Sequence, residues 1–466
     1  MDPALSNSLD RIFFPSSVAI AGVSARMDSP GTLFLRSLKD MGFEGEIYPV
    51  NPRHEEILGY KCYPDISSIP VCPDLAILSV PPAAVPALVK ECADCDTGGC
   101  IVNTAGFSET GREEGRQLED RIVLALRAGK VRLVGPNCMG IYSSRGRLAL
   151  FAGMFPTEGK ASMISQSGSI SSITFMTALE RGIFFDKIVS SGNELDLNCA
   201  DYLEYFANDP HTEMILAYLE QIRDARRFLA VAEGIKGRKP VIALKAGLTV
   251  SGSKAASSHT GALAGSADIL QGAARQAGII LVRDLGEMLD AAAALYHLPE
   301  CGGRDVAIVS SPGGIAVNAS DALEWFGLRL ASLSEETRTE LADFLPHEGT
   351  SFSNPVDLGF GGIVPGNYRR TLEILDRDPQ VDIILAIGSA PASRDGDVGL
   401  LNAITEEVLA AKAGVTTPII VVIFPSAFVS PYLARLFSAG VPAYVTPTAA
   451  CRAINSYCDF HGCPPS

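Results

Sequence analysis

Tryptophan occurs once in this chain, histidine six times, and charged residues make up only 20% of it. Positive charge is scarce: 38 lysines and arginines face 53 aspartates and glutamates, for a net charge of −15. That deficit argues against nonspecific nucleic-acid binding and against attachment to an anionic membrane surface. Anions must instead be handled by local groups, such as helix N-termini and single basic side chains. No uncharged apolar run is long enough to span a bilayer. Asp2, Asp10, Arg11 and Pro15 break the apolar N-terminal stretch, so no signal peptide is expected there. Paired CxxC spacing is lacking: Cys92-Ala-Asp-Cys95 stands alone among 11 cysteines. A metal site is therefore not expected, and the cysteines read as the reduced thiols of a cytoplasmic protein. The dinucleotide fingerprint GxGxxG, the Walker loop GxxxxGK[ST] and the hydrolase elbow GxSxG are also missing.

What is present is apolar sequence in short runs. Hydrophobic residues are 47% of 466, enough for about three domains with cores of their own. The linker His297-Leu-Pro-Glu-Cys-Gly-Gly303 marks one boundary, and the regions read as 1–145, 146–298 and 299–466. In the first, Ser17–Val23, Glu46–Val50, Asp74–Val80, Gly99–Asn103 and Val131–Val134 read as strands separated mostly by helices. That alternation predicts a parallel sheet wound on both faces, with ligands at the carboxyl ends of its strands.

Those ends carry Ser24-Ala25-Arg26, Asn51-Pro-Arg53, Val80-Pro81, Asn103-Thr104-Ala105 and Gly135-Pro-Asn137. An NAD enzyme would usually place an acid where Arg53 stands, and a cation there suits a phosphorylated ribose better. Each segment alone is equally compatible with an ordinary turn.

In the second region the strand Lys160–Ile164 runs into Ser165-Gln166-Ser167-Gly168-Ser169 and then a helix. A Ser/Gly turn at a helix N-terminus can cradle an anion; serine N-capping alone is the other reading. Strand Asp305–Val309 repeats the pattern with Ser310-Ser311-Pro-Gly313-Gly314. Two such cradles on separate domains could hold one phosphoryl group. Glu220 ends the strand Met214–Leu219, where it can either hold an imidazole or lie in solvent. The imidazole candidate is His259, in Lys254-Ala-Ala-Ser-Ser-His-Thr-Gly-Ala-Leu-Ala-Gly-Ser266, a small-residue loop between a strand and a helix. Near neutral pH one ring nitrogen can act as a nucleophile, although a surface loop with an incidental histidine fits this window equally well.

Taken together, Val50-Asn-Pro52, Gly135-Pro-Asn-Cys138, Ser165-Gln-Ser-Gly168, Gly192-Asn193 with Asp196, Tyr218-Leu-Glu220, Ser258-His-Thr-Gly261 with Ala264-Gly265, and Asn354-Pro-Val-Asp357 form an ordered set over nearly the whole chain. The set resembles the α subunit of an ADP-forming (NDP-forming) acyl-CoA synthetase, a relative of succinyl-CoA synthetase. The resemblance implies an α/β chain: a Rossmann-like CoA-binding domain followed by two flavodoxin-like domains of the succinyl-CoA synthetase type. By that likeness His259 is phosphorylated and Glu220 supports it. Ser24, Ala25, Arg26, Asn51, Arg53, Asn103, Thr104, Ala105 and Asn137 fall at the CoA site, flanked by Val80 and Pro81. Ser165 to Ser169 and Ser311, Gly313 and Gly314 would bind phosphate. Ser172 falls near an acyl-contacting tyrosine of the relative, and Glu194 stands where a lysine or glutamine is expected; both departures leave the acid open.

The ATP-grasp domains of the family have no counterpart in these 466 residues. The resemblance therefore implies a separate ATP-grasp β subunit that carries Mg-ATP or Mg-ADP, in an α2β2 assembly. The substrates would be a small carboxylic acid, CoA and phosphate. A CoA-binding regulatory protein of the same fold is the alternative. An NAD-dependent oxidoreductase is disfavoured by the missing GxGxxG and by Arg53.

Overall fold

The computed structural model describes residues 1–149, 151, 153–254, 267–311, 313–388, 399–424 and 429–464. The apolar runs of the first region form five strands: β1 (Ser17–Ala21), β2 (Glu46–Val50), β5 (Leu75–Leu78), β6 (Gly99–Val102) and β7 (Arg132–Val134). They lie in the order β2-β1-β5-β6-β7, and every pairing is parallel. Strands β3 (Glu56–Ile57) and β4 (Tyr60–Lys61) form a small antiparallel ribbon of their own. All residues of β1, β5 and β6 are buried, as a parallel sheet covered on both faces requires. Helices α2 (Pro30–Asp40), α3 (Val85–Asp94) and α4 (Glu113–Arg127) connect these strands. The first helix, α1 (Pro3–Phe13), precedes them; Asp2 caps it, and it buries Leu5, Leu9, Ile12 and Phe13.

A second sheet has the order β13-β12-β11-β9-β10-β8. Its strands are β8 (Gly140–Ser143), β9 (Ala161–Ser165), β10 (Phe185–Ser190), β11 (Met214–Leu219), β12 (Val241–Lys245) and β13 (Ile279–Val282). Only β8 runs antiparallel, against β10. Helices α5 (Gly168–Leu179), α6 (Cys199–Asn208) and α7 (Ala225–Gly234) belong with it, as does α8 (Ala267–Gln276). A capping box closes the start of α6, with Asn198 and Asp201 exchanging side-chain and backbone bonds.

The third sheet contains β14 (Asp305–Ser311), β15 (Arg329–Leu330), β16 (Val356–Asp357), β17 (Ile383–Gly388), β18 (Ile419–Ile423) and β19 (Ala443–Tyr444). Its order is β15-β14-β17-β18-β19, with β16 also on β14. The helices around it are α9 (Leu285–His297), α10 (Gly313–Trp325), α11 (Glu335–Ala342), α12 (Asn367–Asp376), α13 (Gly399–Lys412), α14 (Ser430–Ser438) and α15 (Pro447–Phe460). The α/β class and the three parallel-type sheets expected from the sequence are thus what the structure contains. The chain divides into two compact units: Met1–Phe175 with Phe184–Arg283, and Met176–Ile183 with Asp284–Ser466. The first unit holds the first two sheets. No helix among the described residues is long and apolar enough to cross a membrane.

One expectation is corrected. The sequence predicts reduced cysteines, but Cys72 and Cys95 form a disulfide with Cα atoms 5.6 Å apart. Cys72 precedes β5, and Cys95 follows α3, so both loops lie at the amino end of the sheet. Cys92, the other member of the CxxC spacing, is buried on α3. The spacing therefore separates one buried thiol from one bonded cysteine instead of pairing them.

Gly22, after β1, has φ +95°, and a Cβ there would stand 2.1 Å from the Ser79 carbonyl oxygen. Gly31 in the first turn of α2 meets Gly22 in turn, at 2.5 Å from its carbonyl carbon. These contacts seat the start of α2 directly on the ends of β1 and β5. Gly42 also has positive φ, +71°, but nothing lies within 4 Å of a Cβ added there. Gly22→Ala should therefore cost about 2 kcal/mol more than Gly42→Ala, whose cost is the left-handed backbone alone. Urea unfolding of both variants checks this; equal losses would mean that the close approach relaxes.

Candidate active site

The carboxyl end of the second sheet gathers the serine turn and Glu220. Central strands β9 and β11 are neighbours, with Ser165 in register with Tyr218. The Gln166 side chain links the two strand ends. Its Oε1 accepts from the Glu220 N–H at 2.6 Å and the Gln221 N–H at 2.8 Å, and its Nε2 donates to the Gln221 carbonyl at 2.7 Å. The Ser165 hydroxyl donates to the Ser167 carbonyl at 2.7 Å and accepts from the Ser167 N–H at 3.2 Å. Ser167 Oγ accepts from the Ile170 N–H at 3.4 Å and lies 3.1 Å from Ser169 Oγ. Serine capping, one of the two readings of this turn, is therefore present. Capping leaves the other leading N–H groups of α5 without intrahelical acceptors, so the turn retains the donors of an anion cradle. A Cβ at Gly168 would come 2.5 Å from Met139 Cγ, so the Met139 side chain lies directly against this glycine.

Glu220 does not lie in solvent. It is 7% exposed. One carboxylate oxygen accepts from the Tyr218 hydroxyl at 3.4 Å, and the other is buried without a hydrogen-bond partner among the described residues. Lys245 ends the adjacent strand and donates to the Glu220 carbonyl at 2.8 Å and the Ala246 carbonyl at 2.6 Å. Burial lowers its pKa, and nearby Glu220 partly offsets that. Sequence reasoning missed the holding roles of Gln166 and Lys245, because they depend on which strands are adjacent. His259 lies outside the described residues. Ser172, on α5, donates to the Gly168 carbonyl at 3.1 Å and lies 3.7 Å from Met139 Sδ.

The loop after β10 packs against the end of the first sheet. Asp196 takes Arg132 in a two-point ion pair at 2.8 and 3.0 Å and accepts the Leu133 N–H at 2.8 Å. Asn193 accepts from the Asn137 side chain at 3.2 Å and donates to Glu109 at 2.6 Å. Glu194 turns inward with φ +54° and is 2% exposed. Ser191 donates to its Oε1 at 2.8 Å, while its Oε2 has no partner among the described residues. Burial pushes this carboxyl up to about 7, against the smaller opposing pull of its hydrogen bonds and Arg223.

At the carboxyl end of the first sheet the candidate residues are tied strand to strand. Asn51 donates to the Val23 carbonyl at 2.6 Å and accepts from the Arg53 N–H at 2.8 Å. Thr104 donates to the Val80 carbonyl at 2.6 Å, and the Asn137 N–H donates to the Thr104 carbonyl at 2.9 Å. Asn103 donates to the Cys138 carbonyl at 2.8 Å. Ser24 shares a hydroxyl cluster with Ser29 and Thr32 at the start of α2. Ala25, Arg26, Arg53, Pro81 and Ala105 are exposed, and Arg26 pairs with Asp28 at 3.1 Å. The fold thus brings Ser24, Asn51, Val80, Thr104 and Asn137 to one edge, with a helix N-terminus beside it.

In the second unit, Ser311 ends β14 and donates to the Gly359 carbonyl at 2.9 Å, so its hydroxyl serves the loop. Gly313 opens α10, and a Cβ there would lie 2.1 Å from an Asp357 carboxylate oxygen. Asp357, not among the expected site residues, therefore stands at that helix start, where a negative group is favoured. Open space surrounds Gly314. Among the described residues no group of three or more His, Cys, Asp or Glu is placed to hold a metal ion.

Residues 16–144 match the CoA binding domain, 158–295 the succinyl-CoA ligase like flavodoxin domain, and 306–457 the ligase-CoA domain. The α subunit of ADP-forming acetate–CoA ligase I from Pyrococcus furiosus is 35% identical over 458 residues, covering 96% of this chain and 97% of that one. The chain belongs to the ADP-forming acetate–CoA ligase family. A relative in Archaeoglobus fulgidus, ADP-forming acetate–CoA ligase I, is 38% identical over 448 residues; the ligase-family chain spans only 63% of its length. A structure from Candidatus Korarchaeum cryptofilum, titled dinucleotide forming acetyl-coenzyme A synthetase 1 in complex with phosphate and ADP, superimposes with a TM-score of 0.88. It is 32% identical and covers 98% of either chain.

Glu194 gives the ligase-family chain a testable pH dependence. Its folded value, about 7, lies above the ordinary 4.5. Its contribution to stability is therefore complete below the unfolded value and is lost as pH rises through the folded one. Relative to Glu194→Gln, the native chain should lose roughly 3 kcal/mol across that window. Denaturant unfolding of both proteins at about pH 5 and pH 8 reads this; parallel pH profiles would refute it.

Proposed function

We propose that this chain is the CoA-binding, phosphohistidine-carrying α component of an ADP-forming acid–thiol ligase. The overall reaction interconverts a carboxylic acid, CoA and ATP with acyl-CoA, ADP and phosphate. The observation that carries this reading is Glu220: a buried carboxylate beside a serine cradle, with one oxygen lacking a partner among the described residues. A buried, unsatisfied carboxylate oxygen is costly. An imidazole N–H arriving on it would satisfy it and leave the other ring nitrogen free to attack. His259 is the side chain we assign to that place.

In the synthetic direction His259 takes the phosphoryl group from ATP and delivers it to the acid. The acyl phosphate then loses phosphate as the CoA thiol forms the thioester. In reverse, phosphoryl passes from acyl phosphate through His259 to ADP. Ser165, Gln166, Ser167, Gly168 and Ser169 form the first phosphate cradle, whose N–H groups offset charge on the transferring group. Ser311, Gly313 and Gly314 are assigned to a second. Ser24, Ala25, Arg26, Asn51, Arg53, Val80, Pro81, Asn103, Thr104, Ala105 and Asn137 are assigned to CoA. The tight seat of α2 on Gly22 supports this, since it leaves a helix N-terminus and three hydroxyls for the phosphates. Ser172 is assigned to the acid.

Mg-nucleotide is placed on a separate ATP-grasp β subunit in an α2β2 assembly. The subunit title of the Pyrococcus relative supports a partner. We place the enzyme in the cytoplasm, where CoA and nucleotide are supplied. The three regions, 1–145, 146–298 and 299–466, are proposed as its domains.

The chain mixed with an ATP-grasp subunit and Mg-ATP should gain one acid-labile phosphoryl group by intact mass. His259→Ala should gain none while still binding CoA. Glu220→Gln should slow phosphorylation roughly a hundredfold with little change in CoA affinity. Phosphorylation of His259→Ala at the native rate would overturn the assignment. Failure of the native chain to take phosphate from an active, bound partner would favour a regulatory CoA-binding protein.

A further inference from the structure

A cluster of three cysteines in the second unit has no part in the reaction above. Cys301 sits in the linker between α9 and β14, Cys458 lies near the end of α15, and Cys463 follows that helix. The Cys301 and Cys458 sulfurs are 3.5 Å apart. Cys301 Sγ also lies 3.0 Å from the Gly303 carbonyl, and Cys463 Sγ lies 3.9 Å from the Cys301 carbonyl. Arg304, 1% exposed, holds the arrangement in place. It donates to the Cys463 carbonyl at 2.9 Å and to Asn455 at 2.6 Å, and pairs with Asp459. The Tyr457 hydroxyl donates to the Pro299 carbonyl. The linker and the helix end are therefore already fixed against each other before any bond joins the sulfurs.

The three thiols are not equivalent. Cys458 is buried, whereas Cys301 and Cys463 are half-buried and open in part to a small reagent. The neighbouring Cys458 and Cys463 thiols draw the Cys301 pKa down to about 7, against burial and Asp382. The same contact, with burial, pushes Cys458 far up, and burial with Cys301 pushes Cys463 to about 11. A partly accessible thiol with a second sulfur 3.5 Å away and a third close by is the arrangement of a redox-reactive cysteine with resolving partners. Cys138 and Cys451, by contrast, are buried thiols pushed up to about 12.

We propose that Cys301 and Cys458 are a redox-active dithiol that peroxides close to a disulfide, with Cys463 as the alternative resolving thiol. The Cys301 thiolate attacks one peroxide oxygen; the O–O bond breaks, and hydroxide leaves to become water. The Cys458 thiol then attacks the sulfenic sulfur, the S–O bond breaks, and its proton leaves with the hydroxide as a second water. Two thiols and one hydrogen peroxide thus give one disulfide and two waters. The sulfurs need to close only from 3.5 Å to about 2.05 Å.

The test uses the full chain, reduced, freed of reductant and treated with a few equivalents of hydrogen peroxide. After alkylation of remaining thiols, it is digested with trypsin without reduction. Peptide 284–304, which contains Cys301, should appear joined to peptide 453–466, which contains Cys458 and Cys463. The joined species should be two hydrogens lighter than its parts and should separate on reduction. Cys301→Ser should abolish it. Cys458→Ser should shift the bond to Cys463 or leave a sulfenic acid on Cys301 that dimedone traps. In the untreated chain at neutral pH, Cys301 should alkylate at least about tenfold faster than Cys138 or Cys451. Peroxide that leaves peptide 284–304 unmodified, or oxidises Cys301 without joining the two peptides, overturns the proposal.

Discussion

A single amide organises the carboxyl end of the second sheet. The Gln166 side chain accepts two backbone N–H groups and donates to one carbonyl, all at the end of the strand that carries Glu220. Without it, the part-buried Glu220 N–H would lose its partner, which is costly, whereas the exposed Gln221 groups could turn to water. The amide also sets the direction of the serine turn, because Gln166 lies inside that turn. Strand end, carboxylate and helix N-terminus are thereby held as one piece. A charged or shorter side chain at 166 could not supply both acceptor and donor at this span.

The same end of the molecule is fixed to the first sheet by the 191–197 loop. Asp196 satisfies both the Arg132 guanidinium and the Leu133 N–H, so one carboxylate replaces a missing ladder contact and neutralises a half-buried cation. Gly192 is needed for the closest approach, since a Cβ would lie 2.3 Å from the Pro136 carbonyl oxygen. Farther out, α1 packs on α6: Phe13 stacks on Tyr205 with centroids 5.4 Å apart, and the Tyr205 hydroxyl donates to Asp10 at 2.6 Å. Two sheets thus share one compact unit, joined by the loop that bears Glu194.

Much of this was legible in the sequence because buried parallel strands are continuous apolar runs. Ser17–Ala21, Met214–Leu219 and Asp305–Val309 stand out for that reason, although the last strand runs on through Ser310 and Ser311, which read as turn. Elements of a different kind escaped. Strand β8 is four residues, Gly140–Ser143, at an antiparallel edge, and only its long-range pairing with β10 defines it. Helix α1 has a cap at Asp2 and an amphipathic face, but in the sequence its Asp10 and Arg11 read only as breaks in an apolar stretch. At the site, residue types could be read but hydrogen-bond partners could not. Gln166 reaches Glu220 across 54 positions, and Thr104 reaches Val80 across 24. Cys72 and Cys95 likewise meet only because a loop and a helix end share one edge of a sheet.

Glu194 and Glu220 are both buried, but their surroundings differ. Glu194 is sealed at 2% exposure, next to the Ser191 hydroxyl, and burial raises its proton affinity until it is largely neutral below about pH 7. Its cost is then borne by protonation. Glu220 sits where its strand meets the Gln166 clamp, and one of its oxygens is left without a partner among the described residues. An imidazole N–H needs a free acceptor oxygen, and a resident donor would occupy it. On the reading proposed above, the lack of a donor at that oxygen is therefore a requirement of the chemistry: the place is kept for a side chain that has to arrive and leave. A permanent partner there would stabilise the fold and stop the shuttle.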